Sequence, residues 1–282
     1  MSQFFDALFA SPLLQNALCA GLIASIACGV VGSYVVTRRI TYIAGGVAHC
    51  TLGGMGAARY FNVVGGLTWL QPLHGAAIAA VLAAIIIGWV SLRGRQREDT
   101  VISALWAIGM AAGVLFIART PGYYEDLMSY LFGNILLVSR ENLLMIVGLD
   151  IVVIGIGVLC YNKFLAVCFD GEFSRLRGVN VEFYYLLLLV LTALTVVVLV
   201  TIVGLVMVIA LLTLPAAIAG HFVSRLWHMM ILASIISAVL TTAGLVISYE
   251  PELPPGATTI ALAGACYLLT VMTTGRLKRN RV

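Results

Sequence analysis

Two residues of this sequence could do chemistry in an apolar setting. His49 lies in AGGVAHCTLGGMGAARY, with Gly45, Gly46, Gly53, Gly54 and Gly56 around it. A neutral imidazole facing a cavity is a good ligand for borderline divalent metals, and the glycines allow close helix approach or local unwinding. The same imidazole could instead hydrogen-bond a neighbouring helix. Asp150 lies in MIVGLDIVVIG. A carboxylate deep in such a run faces a water-filled path or a partner group, or else the run is shifted and Asp150 sits nearer an interface or caps a partner helix. His221 and His228 flank a short turn in AAIAGHFVSRLWHMM, and His74 opens another apolar run; all three read as boundary residues. Pro215, in LLTLPAAIAG, removes a backbone donor and kinks whatever helix contains it.

Other chemistries lack their residues. No GxxxxGK[ST] phosphate loop and no HExxH zinc motif occurs. No Ser–His or paired-carboxylate arrangement stands at useful spacing. The cysteines Cys19, Cys28, Cys50, Cys160, Cys168 and Cys266 are scattered without CxxC and read as small packing residues, as does Met55. The chain is therefore expected to be no enzyme.

The elements that position His49 and Asp150 follow from composition. Of 282 residues, 62% are hydrophobic and only 10% charged, and the mean hydropathy is +1.08. A surface of that kind is solvated by a bilayer, where about 20 apolar residues in a helix span the hydrocarbon core. Long apolar runs exclude a β-barrel, which would alternate over short segments. The expected fold is all-α: a polytopic bundle, one transmembrane domain over 1–282. Its spans fall near 13–36, 43–62, 72–92, 100–118, 142–161, 183–203, 204–222, 228–248 and 257–275, about nine helices. Only Gly204 separates the sixth from the seventh. The first run lacks a basic leader region and reads as a true span.

Charge sets the orientation. With the N-terminus outside and the C-terminus inside, only Arg59, Arg119 and Arg140 of the 16 Lys and Arg residues fall outside. The net charge of +4 is read as this bias, with no nucleic acid implied. Two connections are longer than joining requires. The outer one, 119–141, holds an apolar piece from Tyr130 to Val138 too short to span, which suggests a re-entrant segment over about 127–140. The inner one, 162–182, carries Asp170 and Glu172 before Arg175 and Arg177, as the dipole of a short amphipathic helix favours. The outer acids Glu125, Asp126, Glu250 and Glu252 either attract cations, dock a binding protein, or merely solvate the loops.

Five segments in order resemble the permease subunits of manganese, zinc and iron(-chelate) ABC importers: VVTRRITYIAGGVAHCTLGG, LMSYLFGNILLVSRENL, FDGEFSRLRGVN, GLVMVIALLTLPAAIA and GLVISYEPELPPGAT. The resemblance implies a homodimeric permease of the bacterial inner membrane, two cytoplasmic ABC ATPase subunits that bind ATP, and an extracytoplasmic metal-binding protein. It implies a transported divalent zinc, manganese or iron ion and no tightly held cofactor. It makes 168–180 the coupling segment that contacts the ATPase, through Phe169, Asp170, Glu172, Ser174, Arg175 and Gly178. Asp170, Glu172 and Gly178 match the family's Asp-x-Glu-x-Ala-x3-Gly, with Ser174 in place of Ala. Many members carry an Asp four residues before the histidine, on the same helix face; here that residue is Gly45, a variant other members share. The oxygen ligand would then come from Asp150 or another helix, or the path would suit a softer metal. An ion-gradient-driven secondary transporter is the alternative, although no internal repeat is visible and such a protein needs no inner coupling segment.

Overall fold

The computed structural model describes residues 7–9, 11–93, 98–121, 138, 140–251 and 253–279. Glu125, Asp126, Glu252 and, apart from Val138 and Arg140, the expected re-entrant segment at 127–140 lie outside the described residues. Most segments are apolar all round, as helices surrounded by lipid and by one another must be. They form α1 (Pro12–Arg38), α2 (Thr41–Val63), α3 (Pro72–Arg93), α4 (Glu98–Arg119), α5 (Arg140–Leu159), α6 (Tyr161–Phe169), α7 (Gly171–Leu176), α8 (Val181–Val203), α9 (Leu205–Phe222), α10 (Leu226–Tyr249) and α11 (Pro255–Arg279). No strand occurs among the described residues.

Seven of these helices, α1, α3, α4, α8, α9, α10 and α11, are long and apolar enough to cross a membrane. Helices α5 and α6 qualify as a pair, bent by 72°. The expected straight span at 142–161 therefore stops at Leu159. The Tyr34 hydroxyl donates to the Gly157 carbonyl at 3.1 Å, which satisfies an acceptor at the end of α5. Phe164 is wholly buried between Tyr34 (5.2 Å between ring centroids) and Tyr184 (6.2 Å), and so holds α6 against the bundle. Helix α2 has 23 residues, the length of a span, but its glycines leave it less apolar than the seven.

Side-chain pairings fix the helix directions. Asn16 donates to the Val138 carbonyl and Tyr34 to that of Gly157, so α1 and α5 run parallel. Thr37 meets Met229 while Gly29 meets Ser234, so α10 runs antiparallel to α1. Helices α2 and α4 are parallel, with Gly46 on Ile102, Gly53 on Gly109 and Gly56 on Gly113. Tyr185, early in α8, lies under the Arg38 guanidinium and beside Ser91, at the C-terminal ends of α1 and α3. The turn after α9 returns to that end through Met229, so the chain reverses at Gly204. Its φ of +87° is a conformation in which a side chain would clash. The other sharp reversal, between α1 and α2, puts Arg39 at φ +62°, closed by Arg39 N–H to Val36 and Ile40 N–H to Val35.

Backbone contact rather than side-chain interdigitation joins α2 to its neighbours. Gly54 faces the Gly75 carbonyl of α3, and a Cβ on Gly53 would stand 2.7 Å from the Gly109 oxygen of α4. Small residues at such crossings let helices approach closely where no hydrophobic effect drives them together. The glycine-rich stretch around His49 is thus built into helix packing, and α2 stays helical through it. Pro215 likewise lies inside a continuous α9, with Gly32 of α1 packed on the Leu212 carbonyl one turn away.

Candidate functional site

Polar groups within the spans mostly bond to their own helix. Ser25, Ser33, Thr192, Thr195 and Thr241 each donate to the carbonyl four residues earlier, which hides the hydroxyl without a second partner. The Nδ1 of His49, both carboxylate oxygens of Asp150 and the Oγ of Ser237 are buried and find no partner among the described residues. Buried polar atoms are nearly always paired. Among the residues left with such an atom are the two that the sequence singled out.

His49 is 8% exposed on α2. Its imidazole stacks on the Trp106 indole of α4, with ring centroids 4.1 Å apart and planes 17° off parallel. The next residue, Cys50, donates its thiol to the Leu105 carbonyl of the same helix at 3.3 Å. Gly45, one turn before His49, also faces Trp106: a Cβ there would lie 3.5 Å from Cζ3 of the indole and 3.9 Å from Cδ1 of Ile209 on α9.

Asp150 is 4% exposed near the middle of α5. The residues Ile146, Asp150 and Val153 are buried on the α5 face toward α1, and the Cys28 thiol of α1 lies within electrostatic reach of the carboxylate. Helix α5 packs on α1 and α8, whereas α2 packs chiefly on α3 and α4. His49 and Asp150 therefore occupy separate interfaces. Among the described residues no three His, Cys, Asp or Glu side chains are grouped to hold a metal.

The 162–182 segment folds as two helices rather than one. Asp170 joins them: its side chain accepts the Phe173 amide at 2.9 Å and caps α7, and Ser174, buried, donates to its carbonyl at 2.6 Å. Gly178, at φ +76°, closes α7 with Val179 N–H bonded to Ser174 O, and Asn180 caps α8. Arg175 reaches Glu182 at 3.4 Å, an exposed pair that contributes little. Around this frame Phe169, Phe173, Leu176 and Phe183 are exposed, Leu176 at 87%. Glu172 lies in the first turn of α7. Replacing Asp170 with Ala is expected to cost about 1 kcal/mol of local helix stability. Hydrogen exchange over 171–177 will show it as faster amide exchange confined to α7.

Of the acids expected outside, Glu250 is described; it follows α10 at the end where α1 begins. His74 accepts the Gln71 amide at 3.3 Å in the turn before α3, a local structural use. His221 and His228 flank the turn between α9 and α10 as expected, exposed and half-buried. Two features escape the sequence. Trp106 is one more aromatic in an apolar run, and nothing local marks its stacking on His49. Phe173 and Leu176 had a signal, since apolar residues i, i+3 apart on a short polar-flanked helix outside a span must face something.

A "Probable metal transport system membrane protein" of Chlamydia trachomatis is 40% identical over 95% of this chain and 90% of its own length. The "Manganese transport system membrane protein MntC" of Halalkalibacterium halodurans is 33% identical over 94% and 89%. The solved structure "PsaBC from Streptococcus pneumoniae in complex with Fab" matches with a TM-score of 0.84 and 28% identity, covering 96% of this chain and 95% of that one. The model of the ABC 3 transport family matches residues 10–274, so the chain belongs to that family of metal-type ABC permeases, transport subunits whose ATP hydrolysis is done by a separate partner.

Proposed function

We propose that two copies of this chain form the translocation pathway of an ATP-driven importer for a divalent transition metal ion, zinc, manganese or iron, in the bacterial inner membrane. The reading rests above all on α7. It is a short helix capped at both ends and held by buried Ser174, and it offers bare apolar side chains at the end of the bundle where Arg38, Arg93 and Arg225 gather. Fixed, exposed apolar side chains beside basic residues suit an inner face that meets an ATPase. The parallel course of α1 and α5 calls for an odd number of crossings between them, which supports counting α2 with α3 and α4 as spans, nine in all; the charge bias supports the N-terminus outside. The whole chain then acts as a single domain. A metal-binding protein docks on the outer face, where Glu250 lies and where Glu125, Asp126 and Glu252 belong by sequence. Metal from it passes His49, whose orphaned Nδ1 suits transient ligation. A path site must release as readily as it binds, so a thin ligand set is adequate. An ion-gradient-driven transporter would leave α7 without a purpose.

The test is uptake into proteoliposomes that hold the permease and its ATPase, with the binding protein outside, using zinc, manganese and iron in turn. Uptake is expected to require ATP. His49→Ala is expected to lower it about 100-fold, at the upper end of losses from disturbing metal-site residues, while ATPase co-purification is unchanged. Uptake without ATP would overturn the importer reading.

A further inference from the structure

We propose that a groove between α3 and α4 is a phospholipid site: it takes one acyl chain of a membrane lipid whose phosphate is bound by the Arg93 guanidinium. The site lies on the lipid-facing side of these helices and stands whichever ion the permease carries.

Helices α3 and α4 both pack along α2 and scarcely on one another, because the glycine crossings draw each of them onto α2. Between them they leave a groove of about 230 Å³. Cys50 and Gly53 of α2 form its floor, and Leu82, Ile86 and Ile108, all exposed, stand along its walls. Its one polar side chain, the Cys50 thiol, is already bonded to the Leu105 carbonyl, so water finds no partners there. An empty gap would forfeit dispersion contacts along both walls. At about 30 Å³ for a water-sized group, the groove has room for roughly seven or eight methylenes.

The same face of α3 leads to a contact for the headgroup. Leu82, Ile86, Trp89 and Arg93 stand three or four residues apart and share one side of the helix. At about 1.5 Å per residue, Arg93 lies about 16 Å beyond Leu82, close to half of the roughly 30 Å hydrocarbon core. A chain lying in the groove therefore ends with its phosphate level with Arg93. There the guanidinium lies over the exposed Trp89 ring, 4.5 Å from its centre. Tryptophan belongs at the membrane interface, and stacking on its face leaves the in-plane N–H groups of the arginine free for phosphate oxygens. Among the described residues no carboxylate pairs with Arg93.

The experiment uses phosphatidylglycerol with a diazirine midway along one acyl chain, at low fraction in phospholipid nanodiscs that hold the intact permease–ATPase complex. After illumination, labelled peptides are mapped by mass spectrometry. The reference surface is the exposed apolar row Ile231, Ile235 and Val239 of α10. Label on 79–86 and 105–112 is expected to exceed label on that row about tenfold, the factor that a charge-assisted hydrogen bond contributes. Arg93→Ala is expected to bring the groove down to the level of α10, and Arg93→Lys to keep part of the excess. Ala112→Phe places a ring in the groove and is expected to remove the excess with Arg93 intact. Diacylglycerol carrying the same chain has no phosphate and is expected to show no excess. Retained ATPase co-purification confirms that each variant is folded. Equal label on the groove and on α10 in wild type overturns the site and leaves only ordinary boundary lipid. An excess that survives Arg93→Ala, or that diacylglycerol reproduces, overturns the phosphate contact and with it the proposal. Should oxidised Ile108→Cys form a disulfide-linked permease dimer, a second copy covers the groove and the proposal falls.

Discussion

Leu176→Asp is expected to abolish ATP-driven uptake while leaving the permease folded. Leu176 is 87% exposed at the end of α7, so the substitution removes no internal packing. Changes at such sites alter fold stability by about 0.5 kcal/mol or less. If the side chain enters an apolar pocket of the ATPase, the cost arises there. Losing a buried leucine forfeits about 2 kcal/mol, and placing a carboxylate in the same pocket adds a desolvation penalty of at least about 2 kcal/mol. A total of about 4 kcal/mol is roughly a thousandfold in affinity. Pull-down of the ATPase by detergent-purified permease checks this, with Leu176→Met as the variant expected to retain binding. Equal ATPase recovery with Leu176→Asp and wild type would remove α7 from the coupling surface.

Gly54→Leu is expected to have the largest effect on the fold. A Cβ at position 54 collides with the Gly75 carbonyl and would stand 2.6 Å from the Ala79 Cβ, and one at 75 collides reciprocally with the Gly54 carbonyl. Neither wall is a flexible side chain, so α2 and α3 must separate along their length. Overpacking typically costs about 1–3 kcal/mol where side chains can yield; with backbone on both sides the cost is expected to exceed about 3 kcal/mol. Loss of monodisperse protein in size-exclusion chromatography and a lowered melting temperature will report it. Gly148→Ala is the contrasting case. A Cβ there meets nothing within 4 Å, and the change is expected to be neutral or stabilising by up to about 1 kcal/mol through helix propensity. Equal melting temperatures for Gly54→Leu and wild type would mean that α2 and α3 do not cross at these glycines.

How much of this was legible in the sequence depends on the range of the interaction concerned. The apolar runs place α1, α3, α4 and α8–α11 within a few residues of their observed ends, because helix length in a bilayer is set by local hydropathy. The 142–161 run is different. Its hydropathy continues to Leu159, but the bend after it comes from Phe164 seated between Tyr34 and Tyr184, residues far apart in sequence. The 162–182 connection shows its caps plainly, Asp170, Gly178 and Asn180, since capping acts within four residues.

The site divides in the same way. His49 and Asp150 stand out in the sequence alone, because an ionisable group in an apolar run is costly wherever its helix points. Their separation is tertiary. The sequence leaves open whether Asp150 completes the His49 site, and only the packing of α5 on α1 puts it elsewhere. Trp106 is the extreme case, lying 57 residues beyond His49 with no local mark, and joined to it by the glycine-to-glycine crossing of α2 and α4. Hydropathy, charge bias and capping are carried by neighbouring residues, so the sequence by itself determined a membrane bundle, its ends and its ionisable residues. Which of those residues share an interface was decided by close backbone crossings between distant helices, and those exist only in the folded chain.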